Sequence, residues 1–258
     1  MELFVISLRD AKDRRERLVK SLQPHNIAPH WIDAIDARGW SDEKRATYCD
    51  SPKMFWHLSF HPPAGAIGCY LSHLSAYQAL LDSDEDCAII LEDDAEVTAD
   101  FGTYLADLEA ACQAFDLIFL ADRRPNRPSI EVGTTTSGLR FIAKKYANIG
   151  GFGYVITRQA AAQILAQYHQ FGLTIDNLLH SWWLTGLKAA TISPELVIHD
   201  DMGSAIGYDN LKAKHNLIQI ICYRVAKSYI SVKKRLCFPS YVNQLQQAIA
   251  KQGYAPDE

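Results

Sequence analysis

Three carboxylates stand side by side in the segment "AIILEDDAEV", which begins at Ala88. Glu92, Asp93 and Asp94 follow directly on four apolar residues, so the acidic group comes at the end of a predicted strand. Like charges a few ångströms apart repel, and such a group needs either open water or a counter-charge. Carboxylate oxygens are the ligands that hard cations such as Mg²⁺ and Mn²⁺ prefer. The segment therefore indicates either a cation site or a solvated loop before the next helix.

The elements that must hold these carboxylates alternate between strand and helix patterns. Apolar residues at helical spacing predict helices over 65–81 and about 99–113, and a further helix after the first strand, capped by Asp10 or Asp13. The apolar runs that predict strands lie at 3–8, 30–36, 87–91 and 116–122. This order predicts an α/β sheet, and the carboxyl ends of its strands would carry the three carboxylates and Asp122, where open α/β sheets bind ligands.

The second half of the chain is less regular. Residues 130–146 predict a hairpin that turns through a Thr/Ser/Gly cluster, and "NIGGFGYVIT" leads into another helix. A further helix is predicted near 173–184, with Thr174 as its N-cap. For its tryptophans, Trp182 and Trp183, two interpretations stay open, since either could fill the core or stack on a sugar ring.

Length and composition are those of an ordinary globular protein. The 258 residues are 48% hydrophobic and 22% charged, which is enough to bury a substantial core in one large domain or two halves. The N-terminal run "LFVISL" is too short for a signal-peptide core, and no later run reaches the roughly 18 apolar residues of a membrane helix. The six cysteines form no C-x-x-C pair. We expect a reducing, cytoplasmic location.

Charge is distributed unevenly along the chain, whose net charge is −4. Eight Lys and Arg against two acids give residues 210–258 a charge of +6, which leaves −10 for residues 1–209. The segment "LIQIICYRVAKSYISVKKRLCF" has the pattern of a basic amphipathic helix. Two interpretations stay open: a helix packed on the main body with a solvated basic face, or attachment through 210–251 to an anionic membrane or acceptor. We place the domain boundary between 205 and 206.

Several segments together resemble glycosyltransferase family 25, which contains lipopolysaccharide and lipooligosaccharide transferases and collagen galactosyltransferases. They are "VISLRDAKDRRERL", "GAIGCYLSHLSAYQALL" followed by "AIILEDDAEV", and "GGFGYVITRQAA" with "TIDNLL". Their order and spacing cover about residues 2–205, and the block from Gly65 to Val97 is the specific part. The resemblance implies an α/β fold of GT-A-like, Rossmann type, a mixed sheet flanked by helices, here followed by the basic helical C-terminal tail.

The resemblance also assigns metal and donor roles. Glu92, Asp93 and Asp94 correspond to the family's version of the D-x-D metal motif, with Asp94 first for coordination of Mn²⁺ or Mg²⁺ and Asp93 next. His199, in "PELVIHDDMGSAIG", would complete the metal shell, contact phosphate, or be a loop histidine. For His73, close to the apolar stripe of its helix, a hydrogen-bonded core position stays open. The implied donor-site residues are Ser7, Leu8, Arg14, Ser72, His73 and Asp93.

The activity implied is an inverting, metal-dependent transfer of a hexose from a UDP-sugar to a lipopolysaccharide or lipooligosaccharide glycan acceptor. UDP-galactose is the first choice of donor and UDP-glucose the second. Asp176 would be the general base that takes the proton of the attacking hydroxyl, because it occupies the family's acidic position. In this chain the segment reads "LTID", where a proline is common in the family.

Two other classes of protein share features with this one. A sugar-nucleotide nucleotidyltransferase should carry a Gly-rich phosphate loop after its first strand, and "SLRDAKDRR" contains no glycine. A non-catalytic protein of the same fold that binds a sugar nucleotide or a membrane surface stays open. The expected partners are a nucleotide-sugar donor and a glycan or glycolipid acceptor, with no nucleic acid. The expected location is the cytoplasm, with peripheral attachment at the inner face of the plasma membrane as an open alternative.

Overall fold

The computed structural model of the chain describes residues 1–58, 62–146, 150–199 and 217–254. The strands in these ranges are β1 (Glu2–Ser7), β2 (His30–Asp33), β3 (Cys87–Glu92), β4 (Ala95–Val97), β5 (Leu117–Phe119), β6 (Ser129–Thr134), β7 (Arg140–Lys144), β8 (Gly153–Thr157), β9 (Ala189–Ser193) and β10 (Val197–His199). The α-helices are α1 (Lys12–Leu22), α2 (Asp42–Thr47), α3 (Ser51–His57), α4 (Ala64–Asp82), α5 (Leu105–Ala111), α6 (Arg158–Gln167), α7 (Ile175–Leu179), α8 (Trp182–Thr185) and α9 (Leu217–Ala250). Short 3₁₀ helices lie at Gln23–His25 and Phe101–Tyr104.

Eight of the described strands form one mixed sheet, in the order β2-β1-β3-β8-β5-β9-β7-β6. β1 is parallel to β2 and β3, and β5 is parallel to β9, whereas β8 is antiparallel to both of its neighbours. β6 and β7 form the predicted antiparallel hairpin at the far edge. Helices pack on both faces of the sheet. The predicted α/β fold, a mixed sheet flanked by helices, is confirmed.

The strand before the carboxylates is buried on both faces, as its unbroken apolar run predicts. Ile89 and Leu91 of β3 belong to the core under α1 and α5, and Ala88 and Ile90 belong to the core under α4 and α6. Since successive side chains of a strand point to opposite faces, both cores need apolar residues from this one strand. β3 thereby fixes where the acidic segment leaves the sheet.

Helix α4 packs beside that strand, and the backbone of a neighbouring loop approaches it so closely at Gly68 that a side chain would not fit. A Cβ on Gly68 would lie 2.3 Å from the carbonyl oxygen of Ile35. One turn later, the Ser72 hydroxyl accepts a hydrogen bond of 2.8 Å from the Ile35 amide and donates one of 2.7 Å to the Gly68 carbonyl. The backbone after β2 is therefore held directly against α4.

We expect Gly68→Ala to lower the free energy of unfolding by about 1–3 kcal/mol, because the added methyl group must displace backbone rather than a flexible side chain. The better helix propensity of alanine, worth up to about 1 kcal/mol, opposes this loss only in part. Gly39→Ala is the matched control, since a Cβ there meets no atom within 4 Å. Denaturant unfolding of both variants is the measurement, and equal stabilities would contradict the close contact.

Some sequence predictions about helix ends and aromatic residues need correction. Neither Asp10 nor Asp13 caps α1, whose N-cap is Ala11 without a side-chain hydrogen bond. Thr174 is the N-cap of α7 as predicted, but its hydroxyl accepts its hydrogen bond from the side chain of the exposed Asn177. Trp182 is buried and stacks on Tyr241 at a centroid distance of 4.3 Å, so the core interpretation holds for it.

The C-terminal helix is one long element, α9, whose second half packs on the main body. The buried residues of that half are Phe238, Tyr241, Val242, Leu245 and Ile249. The Tyr241 hydroxyl accepts a hydrogen bond of 2.7 Å from the Ala189 amide, at the start of β9. None of the helices in the described ranges has both the length and the apolar character needed to cross a membrane. The predicted domain boundary near 205 lies outside the described residues.

Candidate functional site

A cavity of about 610 Å³ opens at the carboxyl ends of β1 and β3. Its walls come from the loops after β1, β2 and β3, the N-terminal part of α4, the Gly150–Gly151 segment, α7 and the end of β10. The predicted site residues on these walls are Ser7, Leu8, Arg14, Ser72, Glu92, Asp93, Asp94, Asp176 and His199. The predicted residues, which come from distant parts of the sequence, thus meet at one cavity, with the exception of His73.

His73 lies behind the cavity wall, with its side chain fully buried. Its Nε2 is 3.3 Å from Glu92 Oε1, and its Nδ1 is 2.7 Å from the Tyr154 hydroxyl, which is 2.6 Å from the Tyr77 hydroxyl. Burial raises the pKa of both tyrosines, which keeps their hydroxyls protonated. His73 therefore has the hydrogen-bonded core position that the sequence left open, and it orients Glu92.

Asp93 is held by the last residue of β1 and by a residue of α1. It accepts a hydrogen bond of 2.8 Å from the Ser7 hydroxyl and one of 3.2 Å from the Arg14 guanidinium. The Ser7 hydroxyl in turn accepts a hydrogen bond of 2.9 Å from Arg15 Nε. These contacts compensate the charge of Asp93 within the protein and bring Arg14 to the cavity. Asp93 thus has a permanent cationic partner, Arg14, within the part of the chain that the structure describes.

Asp94 is the carboxylate whose bonding is incomplete. Its Oδ2 lies 3.4 Å from Nε2 of His199, which β10 brings beside it by pairing with β4. Its Oδ1 is buried and has no hydrogen-bond partner among the described residues. Burial raises the pKa of Asp94 to about 6, the charge of Glu92 adds to the rise, and His199 opposes it. A carboxylate oxygen without a partner next to an imidazole nitrogen is a donor set that fits Mn²⁺ or Mg²⁺ with mixed ligands.

A second group of ligand atoms lies deeper, where Cys69, His73 and Glu92 have atoms within 4.8 Å of one another. Burial raises the pKa of the Cys69 thiol well above its usual range, and nearby carboxylates raise it further. A sulfur ligand is soft, whereas Mg²⁺ and Mn²⁺ prefer oxygen ligands, so this group fits the expected cations less well than a set of carboxylates with an imidazole. Asp94 and His199 are therefore the better candidate ligands.

Asp176 lies in the first turn of α7, half-buried at the cavity wall. Among the described contacts, the only hydrogen bond to its carboxylate is a long one, 3.5 Å from the Asn177 side-chain amide to Oδ1. Asp176 and Asp94 both contribute to the raised pKa of Cys69, so both carboxylates lie near that thiol. The structure thus places a weakly engaged carboxylate on the same cavity as the acidic cluster.

Several wall residues were missed by the sequence reasoning. Arg38 donates hydrogen bonds of 2.8 and 2.7 Å to the two carboxylate oxygens of Asp36, in the loop after β2. That loop could have been found, because β2 is parallel to β1 and its carboxyl end reaches the same edge. Arg123 also lines the cavity. Asp122 follows β5 at this edge, as predicted, but it does not line the cavity and forms an ion pair with Lys144.

His180 contacts the Gly150–Gly151 segment of the cavity wall. Its Nε2 is 3.2 Å from the Gly150 carbonyl oxygen, and its ring stacks on Phe119 with a centroid distance of 3.7 Å. Burial lowers the pKa of His180 to about 4, so the ring is neutral at neutral pH and donates to that carbonyl. No pattern in the sequence signals this contact, because the two residues are brought together only by the packed core.

In metal-free protein, Asp94→Asn should raise the stability of the fold at pH 8 and leave it nearly unchanged at pH 4. The pKa of Asp94 is raised in the folded state, so ionisation of this carboxyl group destabilises the fold. The resulting loss in the free energy of unfolding grows as the pH rises from about 4 to 6 and is constant above pH 6. With a shift of this size, the gain is about 3 kcal/mol at most. Urea unfolding in EDTA at the two pH values is the measurement, and a variant less stable at pH 8 would contradict the uncompensated charge.

Comparison with known proteins assigns the chain to a family. The family model described as glycosyltransferase family 25 (LPS biosynthesis protein) matches residues 1–179. Since this is more than half of the chain, the protein belongs to glycosyltransferase family 25. The matched region contains the acidic cluster, α4 and Asp176.

Curated relatives fall into two groups. The lipooligosaccharide biosynthesis protein lic2B of Haemophilus influenzae is 28% identical over 182 residues, 68% of this chain and 66% of its own length. Procollagen galactosyltransferase 2 of Mus musculus is 27% identical over 135 residues, 48% of this chain and 21% of its own length. The human inactive glycosyltransferase 25 family member 3 is 28% identical over 176 residues, 64% of this chain and 28% of its own length. The chain thus matches less than a third of the length of the procollagen galactosyltransferase and of the inactive family member.

Similar solved structures are more distant. A mutant of Drosophila β1,4-galactosyltransferase 7 in complex with manganese, UDP-Gal and xylobiose has a TM-score of 0.41 and 12% identity, over 86% of this chain and 78% of that chain. The glycosyltransferase GlyE of Streptococcus pneumoniae has a TM-score of 0.40 and 13% identity, over 93% and 64%. Similarity at this level carries no argument about the site.

Proposed function

We propose that this protein is an inverting, metal-dependent glycosyltransferase that moves a hexose from a UDP-sugar to a lipopolysaccharide or lipooligosaccharide glycan. The single observation that carries the proposal is the acidic cluster at the cavity, where the buried Asp94 Oδ1 has no hydrogen-bond partner among the described residues and His199 lies beside it. A protein gains nothing in stability from such a carboxylate, so a ligand is the natural reason for it.

Donor binding is assigned to the β1 side of the cavity. Ser7 ends that strand and Leu8 follows it, and both would contact the nucleotide. Arg14, which lies on α1 and pairs with Asp93, would approach the phosphates. Ser72 acts indirectly in this proposal, because its hydroxyl is already bonded to the Ile35 amide and the Gly68 carbonyl. His73 also acts indirectly, by holding Glu92.

Asp94 and His199 would hold the cation, with Glu92 and Asp93 near it. A divalent cation there would stabilise the charge that develops on the leaving diphosphate. The chain's own contribution is to keep the ligands in place, through the β4–β10 pairing that puts His199 opposite Ala95 and the hydrogen bonds that fix Asp93.

Asp176 is proposed as the general base. The acceptor hydroxyl loses its proton to this carboxylate as its oxygen attacks the anomeric carbon, and the bond to the UDP oxygen breaks on the opposite face. A single displacement of this kind inverts the anomeric configuration, as in inverting glycosidases, with a sugar hydroxyl in place of water. The partial exposure of Asp176 at the cavity wall supports the role, since the acceptor must reach it.

Galactose is the first choice of donor sugar, supported by the printed names of the procollagen galactosyltransferase relatives. A lipooligosaccharide acceptor is supported by the lic2B relative. The relative named as inactive keeps a second candidate in view, a sugar-nucleotide binding protein without turnover. Both candidates use the same cavity and differ in whether the bond to the sugar breaks.

The test is a screen of nucleotide release from UDP-galactose, UDP-glucose and other sugar nucleotides, with Mn²⁺, with Mg²⁺ and with EDTA, in the presence of a lipooligosaccharide acceptor. We expect release from UDP-galactose that depends on a divalent cation and on the acceptor. Tight binding of a donor without release under any of these conditions would support the non-catalytic candidate. Release that EDTA leaves unchanged would contradict the metal assignment.

A further inference from the structure

The N-terminal part of α9, as far as Leu236, carries a row of solvent-exposed apolar side chains. Its members, which we call the apolar stripe, are Ile221, Val225, Tyr229, Val232 and Leu236. They follow one another at intervals of three or four residues and therefore share one face of the helix. Each is between 52% and 72% exposed. Five large apolar residues exposed in one row are more than single surface residues, and such patches mark interaction sites.

The apolar stripe lies on the side of α9 that faces away from the protein. Lys234 marks the packed side, because its ammonium lies 3.3 Å from the centroid of the Trp183 ring and Phe238, one turn later, is buried. Leu236 is two residues beyond Lys234, which places it on the opposite side of the helix. The helix is thus anchored by one face and presents the apolar stripe to solvent on the other.

The charges beside the apolar stripe are all positive. Arg224 and Arg235 are eleven residues apart, three helical turns, so they lie along the same edge of the stripe, and Lys233 lies along the other edge. Residues 217–254 contain six Lys and Arg and no Asp or Glu. An apolar face between basic edges matches the surface of an anionic bilayer, whose headgroups carry phosphate above an apolar interior.

We propose that the apolar stripe of α9 docks on an anionic phospholipid bilayer, with the helix axis in the plane of the membrane. The apolar side chains enter the headgroup region, and Arg224, Lys233 and Arg235 bind lipid phosphates while their stems cover apolar surface. This docking is independent of the proposed glycosyl transfer, because a protein that only binds sugar nucleotides would dock in the same way. Peripheral attachment at the inner face of the plasma membrane, which the sequence left as an open alternative to a purely cytoplasmic location, corresponds to it.

A second copy of the chain is the other occupant to consider. Two apolar stripes packed together would bring two sets of basic edges close to each other, with no acidic residue on either helix segment to pair with them. Like charges placed opposite one another oppose association. The charge pattern thus favours an anionic surface over self-association.

The test is co-sedimentation of the full chain with vesicles of phosphatidylcholine alone and of phosphatidylcholine mixed with phosphatidylglycerol, at low and high salt. The charge variant combines Arg224→Gln, Lys233→Gln and Arg235→Gln; the stripe variant combines Val225→Ser, Val232→Ser and Leu236→Ser. A matched control removes three charges from exposed lysines on other elements, Lys12→Gln, Lys20→Gln and Lys44→Gln. Thermal melting and sedimentation equilibrium accompany each sample.

We expect the wild type to bind the anionic vesicles, less so at high salt, because salt screens the attraction. The charge variant should bind about 100-fold more weakly, and the control should bind like the wild type. The stripe variant should also lose binding while it stays folded and monomeric. If it fails to fold, the charge variant decides the question.

The proposal is overturned if the wild type does not bind anionic vesicles, or if the charge variant binds as tightly as the wild type. It is also overturned if the wild type is a dimer that the stripe variant breaks, with no vesicle binding, since the apolar stripe would then be a subunit interface.

Discussion

Asp94→Asn should lower the rate of sugar transfer by about 10³-fold in Mn²⁺, while the protein keeps its fold. The amide keeps the shape of the side chain but removes the charge that a divalent cation requires. The Asp94 Oδ1 atom is buried without a hydrogen-bond partner among the described residues, and burial disfavours the charged carboxylate, so the variant should lose no stability in the metal-free protein. Nucleotide release and product formation, each measured over a range of Mn²⁺ concentrations, provide the test.

The matched control for this variant is Glu96→Gln. Glu96 lies on β4, two residues after Asp94, and is not among the residues that line the cavity. The same loss of one negative charge at that position should leave transfer within about twofold of the wild type, because the Glu96 side chain does not face the cavity and would not coordinate a cation there. A fully active Asp94→Asn variant, or an equal loss in Glu96→Gln, would refute the role of Asp94.

Asp176→Asn should reduce kcat by about 10² to 10⁴-fold, the usual contribution of a general base, and leave UDP affinity unchanged. The substitution removes the proton acceptor and nothing that the donor contacts in this proposal. Asp84→Asn, at an exposed aspartate between α4 and β3 that does not line the cavity, is the control and should keep kcat close to the wild-type value. A variant that loses UDP binding with kcat little changed would move Asp176 from the acceptor side to the donor side.

The elements around the site could be predicted because their patterns are local. The unbroken apolar run of β3 and the helical spacing within α4 each follow from one short stretch of sequence, and the structure has both elements close to the predicted bounds. The position of the acidic cluster at the cavity followed from one general rule, that strands of an α/β sheet bind ligands at their carboxyl ends.

The contacts inside the site could not be predicted, because they depend on pairings between distant segments. Glu92 turns toward His73 only because β8 places Tyr154 on the other side of that ring. Asp94 meets His199 only because β10 pairs with β4. Neither register is encoded in the residues next to the carboxylates, so three adjacent acids that look equivalent in sequence have three different environments.

The packing of the C-terminal helix also could not be predicted from the sequence. Its apolar period predicted a helix, but apolar residues occur on more than one face, and the sequence did not show which face packs on the body. The structure buries Tyr241 and Leu245 and leaves Val225 and Leu236 exposed. Lys234, which looks in sequence like part of a basic surface cluster, lies over Trp183, and burial lowers its pKa to about 8.

Calorimetric titration of UDP into the wild type and into Asp94→Asn, each in Mn²⁺ and in EDTA, tests most directly whether the cavity is a metal-dependent nucleotide-sugar site. We predict that UDP binds the wild type at least about tenfold more tightly in Mn²⁺ than in EDTA, and that this difference disappears in the variant. The same UDP affinity for the wild type in Mn²⁺ and in EDTA, or an undiminished effect of Mn²⁺ in Asp94→Asn, would contradict it.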